Sequence, residues 1–244
     1  MIDDREKSFP LDKQLFISHL CDRRFGIGAD GLILIRKHAE LDFDMIYFNA
    51  DGKEGTMCGN GGRCAVAFAH QLGMCGTSTR FQAADGVHDA EIVRPDFVRL
   101  HMRKVTGISR HKDHCLLDTG SPHYCLFANA LEEMDVYDSG RKIRYGKDHK
   151  EEGINVNFIQ REGDGLFVRT YERGVENETF SCGTGVVASA ICAALHEKTD
   201  KTAFRVRTLG GELSVTFRKT GPDTFEDIVL EGPAEFVYSG TLSK

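Results

Sequence analysis

Two stretches decide the reading. The first is Met57-Cys58-Gly59-Asn60-Gly61-Gly62-Arg63, running into Cys-Ala-Val-Ala-Phe-Ala-His-Gln-Leu72-Gly73; the second is Ser181-Cys182-Gly183-Thr184-Gly185, running into Val-Val-Ala-Ser-Ala-Ile-Cys-Ala-Ala-Leu195. In each, a Cys-Gly-x-Gly turn opens a helix of small apolar residues. Ala65, Phe68, Ala69 and Leu72 recur with the helical period in the first, and Val187, Ala190, Ile191 and Ala194 in the second. Gly73 is placed to close the first helix as its left-handed cap.

The parallel extends outward. Phe48-Asn49-Ala50-Asp51-Gly52 precedes the first turn, and Tyr171-Glu172-Arg173-Gly174 precedes the second. Downstream, Arg80-Phe81-Gln82-Ala83-Ala84-Asp85-Gly86 and Phe204-Arg-Val-Arg-Thr-Leu-Gly210-Gly211 each lead into a returning strand, which reads as a hairpin. Gly86 and Gly210 lie equally far beyond their cysteines, and the cysteines are about half a chain length apart. An internal duplication follows. The fold class is α+β, with two pseudo-symmetric lobes, each offering a Cys at the start of a buried helix to a shared cleft.

A thiol at a helix N-terminus meets unpaired N–H groups and the positive end of the helix dipole, which predicts a lowered pKa and a thiolate able to act as a base. Flanking glycines let a ligand carboxylate reach the same N–H groups. Two such turns on opposite sides of a molecule suit removal of a proton from one face of a carbon and delivery to the other, an inversion that uses no cofactor.

Composition narrows the alternatives. The 244 residues carry 31 Lys+Arg against 37 Asp+Glu, a net charge of -6, which disfavours nucleic-acid and anionic-membrane partners and favours a small-molecule substrate. No apolar run is long enough to span a membrane, and the charged start Met1-Ile2-Asp3-Asp4-Arg5-Glu6-Lys7 does not resemble a signal peptide, so the reading is cytoplasmic. The eight Cys include no C-x-x-C pair, so they read as thiols with no metal role. Cys21, Cys64, Cys75, Cys115, Cys125 and Cys192 read as small buried hydrophobes. Gly26-Ile-Gly-Ala-Asp-Gly31 leads into the strand-like Leu32-Ile-Leu-Ile35 and reads as a turn, because a dinucleotide fingerprint opens a helix. His111-Lys-Asp-His114 reads as a polar connection rather than a metal site, and Leu131-Glu-Glu-Met-Asp135 as a solvated helix start. A helix is expected from Ser8 to Gly26 with Leu11, Leu15, Phe16 and Leu20 inward. Strands are expected at Leu32–Ile35, Met45–Phe48, Phe97–Met102, Cys115–Asp118, Asn155–Gln160, Leu166–Tyr171 and Ile228–Glu231.

The segments Phe48-Asn-Ala-Asp-Gly52, Met57–Arg63, Gly120-Ser-Pro-His123, Asn155-Val-Asn-Phe158 and Tyr171-Glu-Arg-Gly…Ser181–Gly185 together resemble diaminopimelate epimerase, in order along nearly the whole chain. The resemblance implies a cofactor-independent epimerase that interconverts LL- and meso-2,6-diaminopimelate for lysine and cell-wall synthesis, with a homodimer as the candidate assembly. It implies Cys58 and Cys182 as the acid/base pair. Asn49, Gly59, Asn60, Asn155, Glu172, Arg173, Gly183 and Thr184 would hold substrate, and His123 and Glu172 would tune the thiols. Ser121 stands where the family often has Asn. It also implies lobes of mixed sheet, each wrapped around a central helix, divided as 1–103 plus 232–244 for the one carrying Cys58 and 104–231 for the one carrying Cys182, with a C-terminal strand near Glu235–Tyr238 returning to the first. The family's opening strand and Gly-x-Gly-Asn-Asp-Phe segment do not precede Ile2 here, which predicts the loss of one substrate contact and an exposed sheet edge. Rival readings are another two-thiol racemase of the proline racemase type, a thiol–disulfide redox protein, and a non-catalytic amino-acid-binding protein.

Overall fold

A computed structural model describes residues 1–197 and 199–241. The first half runs β1 (Ile2–Asp3), α1 (Gln14–Cys21), β2 (Gly31–Arg36), β3 (Phe43–Asn49), α2 (Gly59–Gln71), β4 (Ser78–Ala83), β5 (Gly86–Arg94) and β6 (Phe97–Met102). After β7 (Ser109–Arg110) and β8 (His114–Asp118), the second half runs β9 (Pro122–Phe127), α3 (Val136–Arg144), β10 (Asn155–Glu162), β11 (Gly165–Glu172), β12 (Asn177–Thr179), α4 (Gly183–His196), β13 (Ala203–Thr208), β14 (Gly211–Gly221) and β15 (Thr224–Pro233).

The strand order β1-β2-β3-β4-β5-β6-β15-β14-β13-β11-β10-β9-β8-β7 is symmetric about the β6–β15 pair out to β1 and β9, with β8 and β7 extending the second half alone. From either side the pairings run parallel, antiparallel, parallel, antiparallel, antiparallel: β1–β2 to β5–β6 in one lobe, β9–β10 to β14–β15 in the other. The duplication is therefore present in the hydrogen bonding itself. Each lobe wraps its mixed sheet around one helix, α2 or α4, and the two helices share one apolar core. The equivalent strands β2 and β10 are buried on both faces because α1 and α3 cover their outer sides through separate small clusters. That is why Leu32-Ile-Leu-Ile35 in β2 reads as an unbroken apolar run, while β10 is interrupted by the buried Asn155 and Asn157.

The expected strands are present. Gly73 closes α2 at φ +70, with its N–H donated to His70 O. The hairpin turns hold Gly86 at φ +129 and Gly211 at φ +130. Gly211, not Gly210, is thus the counterpart of Gly86. The shift arises because α4 has 14 residues against 13 in α2. Asp135 caps α3 through a bond from Asp138 N (2.9 Å), although Leu131 in the same run is fully buried.

Three expectations are corrected. The first helix spans only Gln14–Cys21 and turns Ile17, Leu20 and Cys21 inward, while Leu11, Leu15 and Phe16 are exposed. Asp22, whose carboxylate accepts from Arg24 N and Phe25 N, ends it four residues before Gly26. Residues 235–238 form no strand; Phe236, Val237 and Tyr238 are exposed, and β15 itself makes the junction with β6. Cys64 and Cys75 are only half-buried, unlike Cys21, Cys115, Cys125 and Cys192. No helix among the described residues is long and apolar enough to cross a membrane.

Candidate active site

Cys58 and Cys182 are the N-caps of α2 and α4, both in extended backbone conformation at φ -110 and -118. Their two turns meet backbone to backbone. A Cβ on Gly183 would lie 2.9 Å from Gly59 Cα, and one on Gly59 would lie 3.1 Å from Gly183 Cα. Leu230 Cδ2, on the junction strand β15, sits 3.0 Å from both hypothetical atoms. Only glycine at both positions allows this approach, and the approach brings two helix N-termini to one place.

The expected lowering of the thiol pKa values is not found. Burial pushes Cys58 up to about 11 and Cys182 well above its ordinary value, and the charge of Glu172 adds to both shifts. The helix turns do act in the expected direction: Gly61 and Asn60 N–H oppose the shift at Cys58, and the Thr184 hydroxyl and Gly185 N–H oppose it at Cys182. Desolvation exceeds these dipoles at the buried Cys182 and also at Cys58, which is half-buried.

Around Cys182 lies a chain of polar groups. Asn157 Nδ2 donates to His123 Nδ1 (3.0 Å), which leaves the proton on Nε2, 3.0 Å from Thr184 Oγ1. The Thr184 hydroxyl in turn lies 3.5 Å from Cys182 Sγ. Burial, then Arg173, pulls His123 down to about 3, so the imidazole is neutral, and the Thr184 hydroxyl stands between it and the thiol. Asn157 is fully buried and its Oδ1 accepts from Thr170 Oγ1 (3.0 Å). It was not among the residues singled out from the sequence. The signal was a second Asn two positions after Asn155 on one face of an otherwise apolar strand.

Glu172 ends β11 and is raised by burial, an effect that the Thr179 hydroxyl (2.9 Å) opposes. Its counterpart at the end of β3 is Asn49, whose side chain makes no hydrogen bond among the described residues. Ser121 is a hub: its Oγ accepts from Asn155 Nδ2 (2.9 Å) and Arg173 Nη2 (3.3 Å). Asn155 Oδ1 accepts from Arg173 N (2.9 Å) and Arg173 Nη1 donates to Glu152 O (3.1 Å), so among the described residues Arg173 has no carboxylate partner. Asn60 is already committed, with Nδ2 on Ser181 O (2.7 Å) and Oδ1 on Arg63 Nη2 (3.0 Å). Its backbone N–H, not its amide, remains for a ligand. The structure thus gathers Cys58, Gly59, Asn60, Gly183, Thr184, His123 and Glu172 around the paired turns, with Asn155 and Arg173 joined through Ser121.

The diaminopimelate epimerase family model matches residues 1–106 and 115–237. The chain belongs to the diaminopimelate epimerase family. A diaminopimelate epimerase of Flavobacterium psychrophilum is 46% identical over 99% of this chain and 94% of its own length. One of Chlorobaculum tepidum is 43% identical over 100% and 96%. Among solved structures, a PhzF-family phenazine biosynthesis protein of Bacillus anthracis superposes with TM-score 0.72 at 12% identity, covering 94% of this chain and 87% of the other. A hydroxyproline epimerase of Agrobacterium vitis gives 0.66 at 15% identity, covering 95% and 80%. At such identities these two establish the fold. The family places the chain among the isomerases, with a small-molecule substrate.

Proposed function

We propose that the protein interconverts LL- and meso-2,6-diaminopimelate without a cofactor, Cys58 and Cys182 acting as base and acid on opposite faces of one α-carbon. The observation that carries this reading is the contact of Gly59 with Gly183, which sets two N-capping thiols against one cleft. In each direction one thiolate takes the α-proton while the other thiol gives its proton to the opposite face; the pair ends with its protonation exchanged. One thiol must first be deprotonated. Glu172, a half-buried carboxyl raised above its ordinary value, is the group we assign to take up and hold that proton. The N–H groups of the two turns, Gly59 with Asn60 and Gly183 with Thr184, are the donors for the carboxylate at the reacting carbon. Arg173 offers a guanidinium without an acidic partner for the other carboxylate, and Asn49 and Asn155 flank the remote amino acid end.

On this reading the enzyme serves lysine and cell-wall precursor synthesis in the cytoplasm, and a homodimer is the assembly to look for by light scattering. We keep the division at 1–103 plus 232–244 and 104–231 as part of the proposal; the strand correspondence argues for extending the second lobe to Pro233. The test is deuterium uptake from solvent at the α-carbon, with LL-diaminopimelate and with proline in parallel. Uptake with diaminopimelate alone is expected. Uptake with proline alone would replace the substrate, and binding without uptake would reduce the protein to a binding module.

A further inference from the structure

Arg63 lies in the second turn of α2 with 4% of its surface exposed. Among the described residues it has no carboxylate partner. Its guanidinium donates instead to three neutral acceptors: Gly59 O (3.2 Å), Asn60 Oδ1 (3.0 Å) and Pro233 O (3.4 Å). Burying a cation in this way is costly, and neutral acceptors offset the cost only in part. The second lobe does without it. The fifth residue of α4, equivalent to Arg63, is the fully buried Val187.

What Arg63 touches explains the asymmetry. By occupying Asn60 Oδ1 it fixes the rotation of that amide, so Nδ2 faces across the cleft to Ser181 O, the residue before Cys182. Through Pro233, the residue that pairs with Phe97, it also holds the end of the strand that joins the lobes. A single side chain therefore ties the first thiol's turn, the second thiol's turn and the junction strand. The second lobe needs no equivalent, because one such tie spans both turns.

We propose that Arg63 is a positioning residue of the reaction, setting the separation of the two thiol-bearing turns through Asn60. This rests on the two-thiol reading above. A displacement of about 1 Å between catalytic groups costs on the order of 100-fold in rate, so Arg63→Met is expected to lower kcat by roughly that factor while KM moves only a few-fold. Arg63→Lys, which keeps the cation but not the three-way donation, should lie between. Combining Arg63→Met with Asn60→Ala should cost no more than the worse single change, since both break one connection. A folded Arg63→Met or Arg63→Lys enzyme with wild-type kcat would overturn the proposal, as would a change confined to KM or effects that multiply in the double variant. If Arg63→Met does not fold, the lysine variant is read by the same kcat and KM split. Absence of α-proton exchange in the wild-type protein would overturn the epimerase reading and this inference with it, whereas an active wild type with a silent Arg63 overturns this inference alone.

Discussion

The two thiol-bearing turns share a backbone and differ in what surrounds it. In the first, Cys58 Sγ accepts a capping bond from Gly61 N (3.3 Å), a buried guanidinium stands behind the helix, and the facing strand ends in Asn49. In the second, Cys182 has a hydroxyl beside it, a neutral imidazole behind that hydroxyl, and a strand that ends in Glu172. Helix α4 is buried along nearly its whole length, while α2 exposes one side. Duplication thus kept the parts that place a sulfur at a helix start, which depend on backbone and glycine. It let the polar surroundings diverge, and these decide how easily each sulfur gives up a proton.

The sharpest way to break this comparison is to remove each sulfur. Cys58→Ala and Cys182→Ala should each lose turnover by at least 10²- to 10⁴-fold, the usual order for a general acid or base, with the fold retained by circular dichroism. Racemisation near the wild-type rate in either variant would show that the two turns are not partners. Next come the glycines. Gly183→Ala places a methyl against the Gly59 backbone and Gly59→Ala does the reverse, each costing about 1–3 kcal/mol in overpacking and separating the thiols. Thermal midpoints and kcat should fall together in both; equal activity with a lower midpoint would mean the close approach serves stability only.

Thr184→Val tests the second turn alone, since it keeps the N–H and the shape but disconnects His123 from Cys182. The loss expected is about 1 kcal/mol, roughly fivefold in rate. A kcat unchanged across pH in this variant would make the His123 chain structural. The smallest effect is on stability at high pH. Cys58 titrates at about 11 when folded, above its ordinary value, and Cys182 is raised too. The unfolded chain therefore ionises first, and the stabilisation, full below the unfolded thiol pKa, is lost as pH rises through the folded one. Melting followed from about pH 8 to pH 11 should fall less steeply in the Cys58→Ala, Cys182→Ala double variant than in wild type; parallel curves would contradict the direction of the thiol shifts.

Much of this was legible beforehand. Cysteine, glycine and small apolar residues in a repeated local pattern specify a helix start, and Gly86 and Gly211 mark hairpins because their backbone conformations require glycine. The extent of α1 is not given by period alone: Leu11 lies before the helix, and Leu15 and Phe16 keep the period on its exposed side, opposite Ile17, Leu20 and Cys21. The motif marks Asn60 as a residue of the site, but not that its amide is held by Arg63 and Ser181, leaving its backbone to face a ligand. Ser121, which stands where the family often has Asn, is where Asn155 and Arg173 meet.

By itself the sequence determined the duplication, the two capping cysteines and the α+β class, since these are short-range matters of period, glycine placement and turn chemistry. Only the tertiary structure decided that the two turns touch through Gly59 and Gly183, that Asn157 fixes the His123 tautomer, and that both thiols are held protonated. Those outcomes depend on which distant groups arrive beside a side chain and how completely they exclude water. Desolvation is set by that enclosure, so a helix N-terminus that favours a thiolate in isolation holds a protonated thiol here.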